Sequence, residues 1–221
     1  MSWRDMAFWL RSARADGRLG ALRAAHGVRT AFDQLYSEQP DPWGALVPRY
    51  RYQRLKYERL LALLPRREYG EALDLGSGLG VFTRVLAPHV GHILGLDLSD
   101  VAIALAADLS RALPNVAYAQ GDVRAIPLPG ARQFDLVVLA DVLYYLSPLT
   151  AEALDGVAEA VEDLLAPGGI LLLANHCFFG WDRDSKVTRR IHDAFRRRAR
   201  LRVRREAWRP FYQASVLERR A

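Results

Sequence analysis

Three aspartates, each at the end of an apolar run, carry the first chemical signal in this chain. Asp74 lies two residues before the run Gly76-Ser77-Gly78-Leu79-Gly80, Asp97 closes the stretch 92–97, and Asp122 follows Gly121. The glycines at alternate positions let the backbone come close to a ligand, and a Cβ at Gly76 or Gly78 would stand in its way. A helix starting after Gly80 would turn free N–H groups toward the same spot. The dinucleotide spacing Gly-x-Gly-x-x-Gly fails in both registers, because its third glycine would fall on Val81 or Thr83. A carboxylate at Asp74 offers nothing to a pyrophosphate, whereas an ammonium or sulfonium gains from it. Asp97, at the end of a second strand, is placed to accept both hydrogens of a ribose diol. Asp122 suits an exocyclic adenine amine. Alone, Asp97 or Asp122 also fits a helix cap or a turn. Together the three describe an adenosine with a cationic amino-acid tail.

The elements that must position these acids follow in regular alternation. Strands are expected at 72–75, 92–97, 116–120, 134–140 and 170–174, with helices at 81–87, 101–113, 150–165 and 186–199. Ser99 is a candidate N-cap, and Pro167-Gly168-Gly169 reads as a turn into the fifth strand. The nearly continuous apolar run at 134–140 fits a central strand buried on both faces. Two further strands, 201–207 and 211–217, flank Trp208-Arg209-Pro210 and can close as an antiparallel hairpin. The expected fold is α/β: a doubly wound, mostly parallel, seven-stranded Rossmann-like sheet with an antiparallel C-terminal hairpin. Residues 1–70 form an N-terminal helical extension and 71–221 the ligand-binding domain. Residues 1–30 read as two amphipathic helices broken near Gly17 and Gly20, and 50–64 as a helix ended by Pro65. The Arg-rich start also has the look of a mitochondrial presequence, but Asp5 and Asp16 interrupt it and a helical cap fits better.

The chain has 221 residues, 51% hydrophobic and 25% charged, as in an ordinary globular protein. No apolar run is long enough to span a membrane. The one cysteine, Cys177, rules out an internal disulfide, no metal site is expected, and both points suit a reducing cytoplasm. The net charge of +6 is uneven. Residues 1–30 hold six arginines against two aspartates, and 183–221 hold 14 basic residues against four acids, which leaves 31–182 at −8. Basic ends around an acidic middle are not the continuous basic face of a nucleic-acid binder. The acidic middle suits a cofactor with a cationic reactive centre. Arg200, Arg202 and Arg204 alternate with Leu201 and Val203, so they share one face of the expected strand. That face fits solvent better than it fits an anionic partner.

The ordered set of the glycine turn, Asp97, Asp122, Phe134-Asp135-Leu136-Val137-Val138-Leu139-Ala140-Asp141 and Leu165-Ala166-Pro167-Gly168-Gly169 resembles the class I S-adenosylmethionine-dependent methyltransferases over about 72–217. A narrower resemblance is to the nodulation methyltransferases of the NodS type, over about 32–195. It rests on Phe32-Asp33-Gln34-Leu35-Tyr36, Asp41-Pro42-Trp43, Lys56-Tyr57-Glu58, Leu63-Leu64-Pro65, Val142-Leu143-Tyr144-Tyr145-Leu146 and His192-Asp193. This resemblance implies N-methylation of the deacetylated glucosamine end of a chitin-like oligosaccharide. O- or C-methylation, or RNA methylation through the Arg-rich tail, are the other readings. It further implies that S-adenosylmethionine is held by Asp74, Gly76, Ser77, Gly78, Gly80, Asp97, Leu98, Asp122, Val123, Ala140, Asp141, Val142 and Trp43. The acceptor would enter over strands four and five. There it would meet Asp141, one of Tyr144 and Tyr145, Asn175 and His176, with Phe178, Phe179 and Trp181 as walls. A hydroxyl acceptor needs a base, and imidazole exchanges protons near neutral pH, which makes His176 the candidate. Tyr36 and Trp43 either close over the ligands or pack in the core, and His192 reads as structural. The expected partner is a small molecule, with neither membrane nor nucleic acid, and a homodimer stays open.

Overall fold

The computed structural model describes residues 3–48, 50–65, 68–126, 133–146, 149–178 and 182–220, with the side chains of 3–6 left aside. Seven strands form one sheet: β1 (Tyr69–Leu75), β2 (Val90–Asp97), β3 (Val116–Gln120), β4 (Phe134–Ala140), β5 (Leu165–His176), β6 (Leu201–Arg209) and β7 (Tyr212–Arg219). Their order is β3-β2-β1-β4-β5-β7-β6. Strands β1 to β5 run parallel, while β7 lies antiparallel to both β5 and β6. The chain winds outward in one direction from β1 to β3 and in the other from β4 onward. The carboxyl ends of β1 and β4 therefore flank the reversal point, where α/β sheets bind their ligands.

Each central strand feeds both faces. Leu73, Leu75, Val137 and Leu139 pack on one side with Leu154, Val157, Val161, Ile191 and Phe195. These come from α6 (Ala151–Leu164) and α7 (Arg183–Arg196). Ala72, Leu136 and Val138 pack on the other with Leu60, Phe82 and Leu86, from α3 (Arg51–Leu63) and α4 (Val81–Leu86). This period-two partition is what the apolar run at 134–140 required. Helix α5 (Asp100–Leu109) begins at Ser99, whose Oγ accepts the Ala102 N–H. No helix among the described residues is long and apolar enough to cross a membrane.

Four local expectations fail. Helix α1 (Trp3–His26) runs straight through Gly17 and Gly20. A glycine inside a helix costs about 1 kcal/mol, and buried Leu19 and Leu22 packed on Ala31 and Leu35 offset it. The break falls instead at Gly27 (φ 79), ahead of α2 (Val28–Glu38). Pro167-Gly168-Gly169 lies within β5, as a bulge between the pairs Phe134–Leu165 and Leu136–Ile170. In β6 a register shift between Val203 and Arg205 breaks the alternation, and Val203 is 42% exposed. The sheet begins at Tyr69, two residues inside the stretch read as the N-terminal extension.

Candidate active site

Strand β1 delivers Asp74 to the reversal point, almost fully buried, where its Oδ2 accepts a 2.6 Å hydrogen bond from Thr83 Oγ1 on α4. Burial pushes this carboxyl up to about 6, against the pull of the Thr83 hydrogen bond, and the nearby Asp97 adds to the rise. The glycine turn that follows is shaped by protein contacts. A Cβ on Gly76 (φ 74) would collide with the Val142 side chain, and one on Gly80 (φ 64) with the Tyr118 ring. At Gly78 the neighbour is Tyr36 Oη at 3.0 Å. The turn's amides are spent as well. Gly76 and Ser77 donate to Leu96 O at 2.7 and 2.9 Å, Gly80 donates to Ser77 O, and Gly78 donates to Asp97 Oδ2 at 2.8 Å. The amides of the turn itself are therefore not available to a ligand at those four positions.

Asp97 ends β2, with Oδ1 accepting the Ser99 N–H at 2.9 Å. Burial raises its pKa, and the backbone donors counter only part of that. Its Oδ2 accepts from Gly78, and the Leu98 backbone N–H also donates to this carboxylate, so three of its four acceptor sites are taken by the protein. Asp122 differs from expectation: both of its oxygens accept from Arg124 at 2.5–3.0 Å. Burial works to raise the Asp122 pKa, but the Arg124 hydrogen bonds and charge outweigh it and hold the carboxyl low. An adenine amine would have to share Asp122 with that arginine.

A cavity of about 630 Å³ joins these acids to a second group of side chains. Its lining includes Asp74, Gly76, Ser77, Gly78, Asp97, Leu98, Asp122, Val123, Ala140, Asp141, Val142 and Trp43 from the expected cofactor set. Gly80 is absent from the lining, and the neighbouring Leu79 takes its place there. Tyr144, Tyr145 and His176 all face the cavity. The two tyrosines sit on a short 3-10 turn, Leu143–Leu146, which brings both to the cavity. Tyr145 Oη donates to Asp16 at 3.1 Å, and the Tyr144 ring meets the His176 ring edge-on at 4.1 Å. Burial raises both phenols well above the ordinary range. His176 Nε2 lies 3.5 Å from Asp184 Oδ2, and this pairing holds the Asp184 carboxyl low. Asn175 is buried and does not line the cavity, since consecutive residues of β5 point to opposite faces. Phe178 forms part of the wall, while Phe179 and Trp181 lie outside the described residues. Tyr36 and Trp43 both pack against each other and line the cavity, so the two readings of them coincide. His192 is buried in α7, hydrogen-bonded to Ser215 Oγ at 2.8 Å, and burial drives its pKa down to about 3.

Several lining residues went unnoticed in the sequence. Helix α1 supplies Phe8, Trp9 and Asp16, and Asp16 Oδ1 also accepts the Trp43 indole N–H at 2.9 Å. Helix α3 supplies Gln53 and Lys56, the latter 2% exposed and ion-paired with Asp141 Oδ2. Lys56 carried two signals in the sequence: it stands in the Lys56-Tyr57-Glu58 resemblance, and it lies four residues before Leu60 and eight before Leu64, on the buried stripe of its helix.

A methyltransferase domain model matches residues 73–173. Nodulation protein S of Sinorhizobium fredii is 30% identical over 185 residues, covering 78% of this chain and 79% of that protein. The chain belongs to the S-adenosylmethionine-dependent methyltransferases. Nodulation protein S of Rhizobium tropici is 31% identical over 153 residues, which cover 69% of this chain but only 59% of the relative. Among solved structures, the N-methyltransferase NodS from Bradyrhizobium japonicum WM9 in complex with S-adenosyl-L-homocysteine superposes with a TM-score of 0.69. That match covers 85% of this chain and 98% of the other at 20% identity, a likeness of fold. The methyltransferase's own residues fit the cofactor. Buried Asp74 and Asp97 keep unused lone pairs, and the buried Ser77 Oγ has no partner among the described residues.

Proposed function

We propose that this methyltransferase methylates a primary amine on a small polar acceptor, an amino sugar fitting best. The observation that carries this reading is the charge of the cavity. Seven aspartates line it (Asp16, Asp41, Asp74, Asp97, Asp122, Asp141 and Asp184) against Lys56 and His176, with no arginine among the described lining residues. Such a cavity attracts a cationic cofactor and an acceptor that arrives as an ammonium, and it repels phosphates. The relationship to nodulation protein S points the same way.

The cofactor supplies an electrophilic methyl on a sulfonium sulfur. Asp74 pairs with the amino-acid tail, and Asp97 accepts from a ribose hydroxyl. Leu98, Val123, Ala140 and Val142 cover the apolar surfaces. The protein's task is alignment and exclusion of water, which can supply most of the rate. His176 takes the proton that the acceptor ammonium must lose, through the ring nitrogen that does not face Asp184. Asp184 then stabilises the imidazolium. Tyr144 fixes the ring edge-on, and Trp9 and Phe178, in contact at 5.4 Å, wall the site against solvent.

The test is incubation with methyl-labelled S-adenosylmethionine and a panel of amino sugars, phenols and RNA. Label should enter an N-methyl group on glucosamine or a partly deacetylated chitin oligomer. Replacing His176 by Ala should lower kcat by roughly 10²–10⁴-fold at pH 7. Label found only in phenols or only in RNA would overturn the reading.

A further inference from the structure

Between α3 and the end of β4 the cavity wall carries two hydrogen-bond acceptors with nothing to accept. Asp141 follows β4 in the left-handed region, with φ 60. That conformation is unfavourable for a residue with a Cβ, and such outliers persist where the surroundings enforce them. Lys56 Nζ engages Asp141 Oδ2. Asp141 Oδ1 is buried and has no partner among the described residues. Gln53 lies three residues before Lys56 on α3, on the same helical face. Its Oε1 is likewise buried without a partner among the described residues. Both side chains line the cavity. Buried acceptors left unpaired are costly, so a pair of them on a ligand cavity marks where N–H donors arrive.

We infer that Gln53 Oε1 and Asp141 Oδ1 form the seat of the acceptor nitrogen, with Lys56 as the residue that positions Asp141. This rests on the amine reading above. A neutral primary amine has two hydrogens and one lone pair. The two acceptors take both hydrogens, and the lone pair is left for the methyl. As the new N–C bond forms, the C–S bond breaks and its electron pair stays on sulfur. The nitrogen, now a cation with one methyl and two hydrogens, leaves as a secondary ammonium and loses one proton to bulk water, giving the secondary amine. Two selections follow from counting hydrogens. A hydroxyl has one hydrogen, so it leaves one acceptor unpaired, and the seat prefers nitrogen to oxygen. A secondary amine has the same deficit, so transfer stops after one methyl. Asp74 gives the cofactor's own ammonium a separate counterion.

The probes are glucosamine and glucose, an amine and hydroxyl pair of one shape, with products read by mass spectrometry and S-adenosylhomocysteine binding read by calorimetry. The wild-type protein should yield monomethylated glucosamine alone. Gln53→Leu should raise the glucosamine KM roughly tenfold and lower the preference for glucosamine over glucose by a similar factor. Asp141→Asn should do at least as much, and Lys56→Met should follow Asp141→Asn in KM with a smaller effect on kcat. All three, checked for an intact thermal transition, should bind S-adenosylhomocysteine within about twofold of wild type. Dimethylated product from the wild type would overturn the inference. So would variants that weaken S-adenosylhomocysteine while the amine preference survives, which would assign the two acceptors to the cofactor. A wild type that methylates no amine is a separate outcome, removing the amine reading and this seat with it.

Discussion

At the scale of single residues, Asp74 is the group whose charge the site has to manage. Its pKa is about 6 in the folded chain against 3.8 for an ordinary aspartate, mainly because it is buried. The folded state therefore holds this proton more tightly. Asp74 favours folding below about pH 4, and that contribution is lost as pH rises through 6. Binding of a cationic tail has the opposite sign, because it needs the carboxylate. Affinity for S-adenosylhomocysteine should be nearly full at pH 7, about half of that at pH 6 and roughly tenfold lower at pH 5. Thr83→Val removes the hydrogen bond that restrains the pKa, so the fall should begin at higher pH. Asp74→Asn should flatten the profile, as calorimetry at several pH values can show. Asp74, Asp97 and Asp122 were legible in the sequence because each lies within two residues of a strand's carboxyl end, and such ends are easy to place. Lys56, Gln53 and Asp16 were not, because their role depends on helices packing over the sheet from a distance in the chain. The glycines were located correctly but for an incomplete reason: Gly76 and Gly80 make room for Val142 and Tyr118.

Among the elements, the sheet was the most legible part, and its edges the least. Strands β3 and β4 match their expected spans residue for residue, since a buried parallel strand leaves a continuous apolar run. Bulges leave no such trace, and both misread stretches, in β5 and β6, are bulges. The basic C-terminal segment shows how two elements are joined by charge. Glu162 on α6 is 1% exposed and accepts from Arg198 Nε and Nη2 at 3.0 and 2.9 Å, and from the Arg200 backbone N–H at 3.1 Å. Removing its charge leaves buried donors short of an acceptor. Glu162→Gln should cost about 2–3 kcal/mol in urea unfolding, less than a fully buried pair because Arg198 is partly exposed. A loss below about 0.5 kcal/mol would show that the contact is a solvated one.

Across the whole molecule, the charge asymmetry of the sequence is only partly compensated at its basic end, where the acids met from outside that stretch, among the described residues, are Asp155, Glu159, Glu162 and Asp163. Arg196 meets Asp193 and Glu206, Arg200 meets Asp163, and Arg202 and Arg204 meet Glu218. Acids interspersed among these arginines break up the continuous basic face that a nucleic-acid binder presents. Single-stranded RNA should bind at 150 mM salt no tighter than the nonspecific range of about 10⁻⁴–10⁻⁶ M, as a filter-binding titration can establish. A submicromolar, steeply salt-dependent complex would contradict this. The acidic interior, by contrast, is concentrated in the cavity itself.

Helix α1 contributes one wall of that cavity, and Asp16 ties it to Trp43 and Tyr145. The methyltransferase domain match begins only at residue 73. Helix α1 thus lies outside the span that this domain model matches, while the carboxyl end of β1 and all of β2, β3 and β4 lie within it. Substitutions on the cavity face of α1 would reshape the cavity without altering any residue of the matched span.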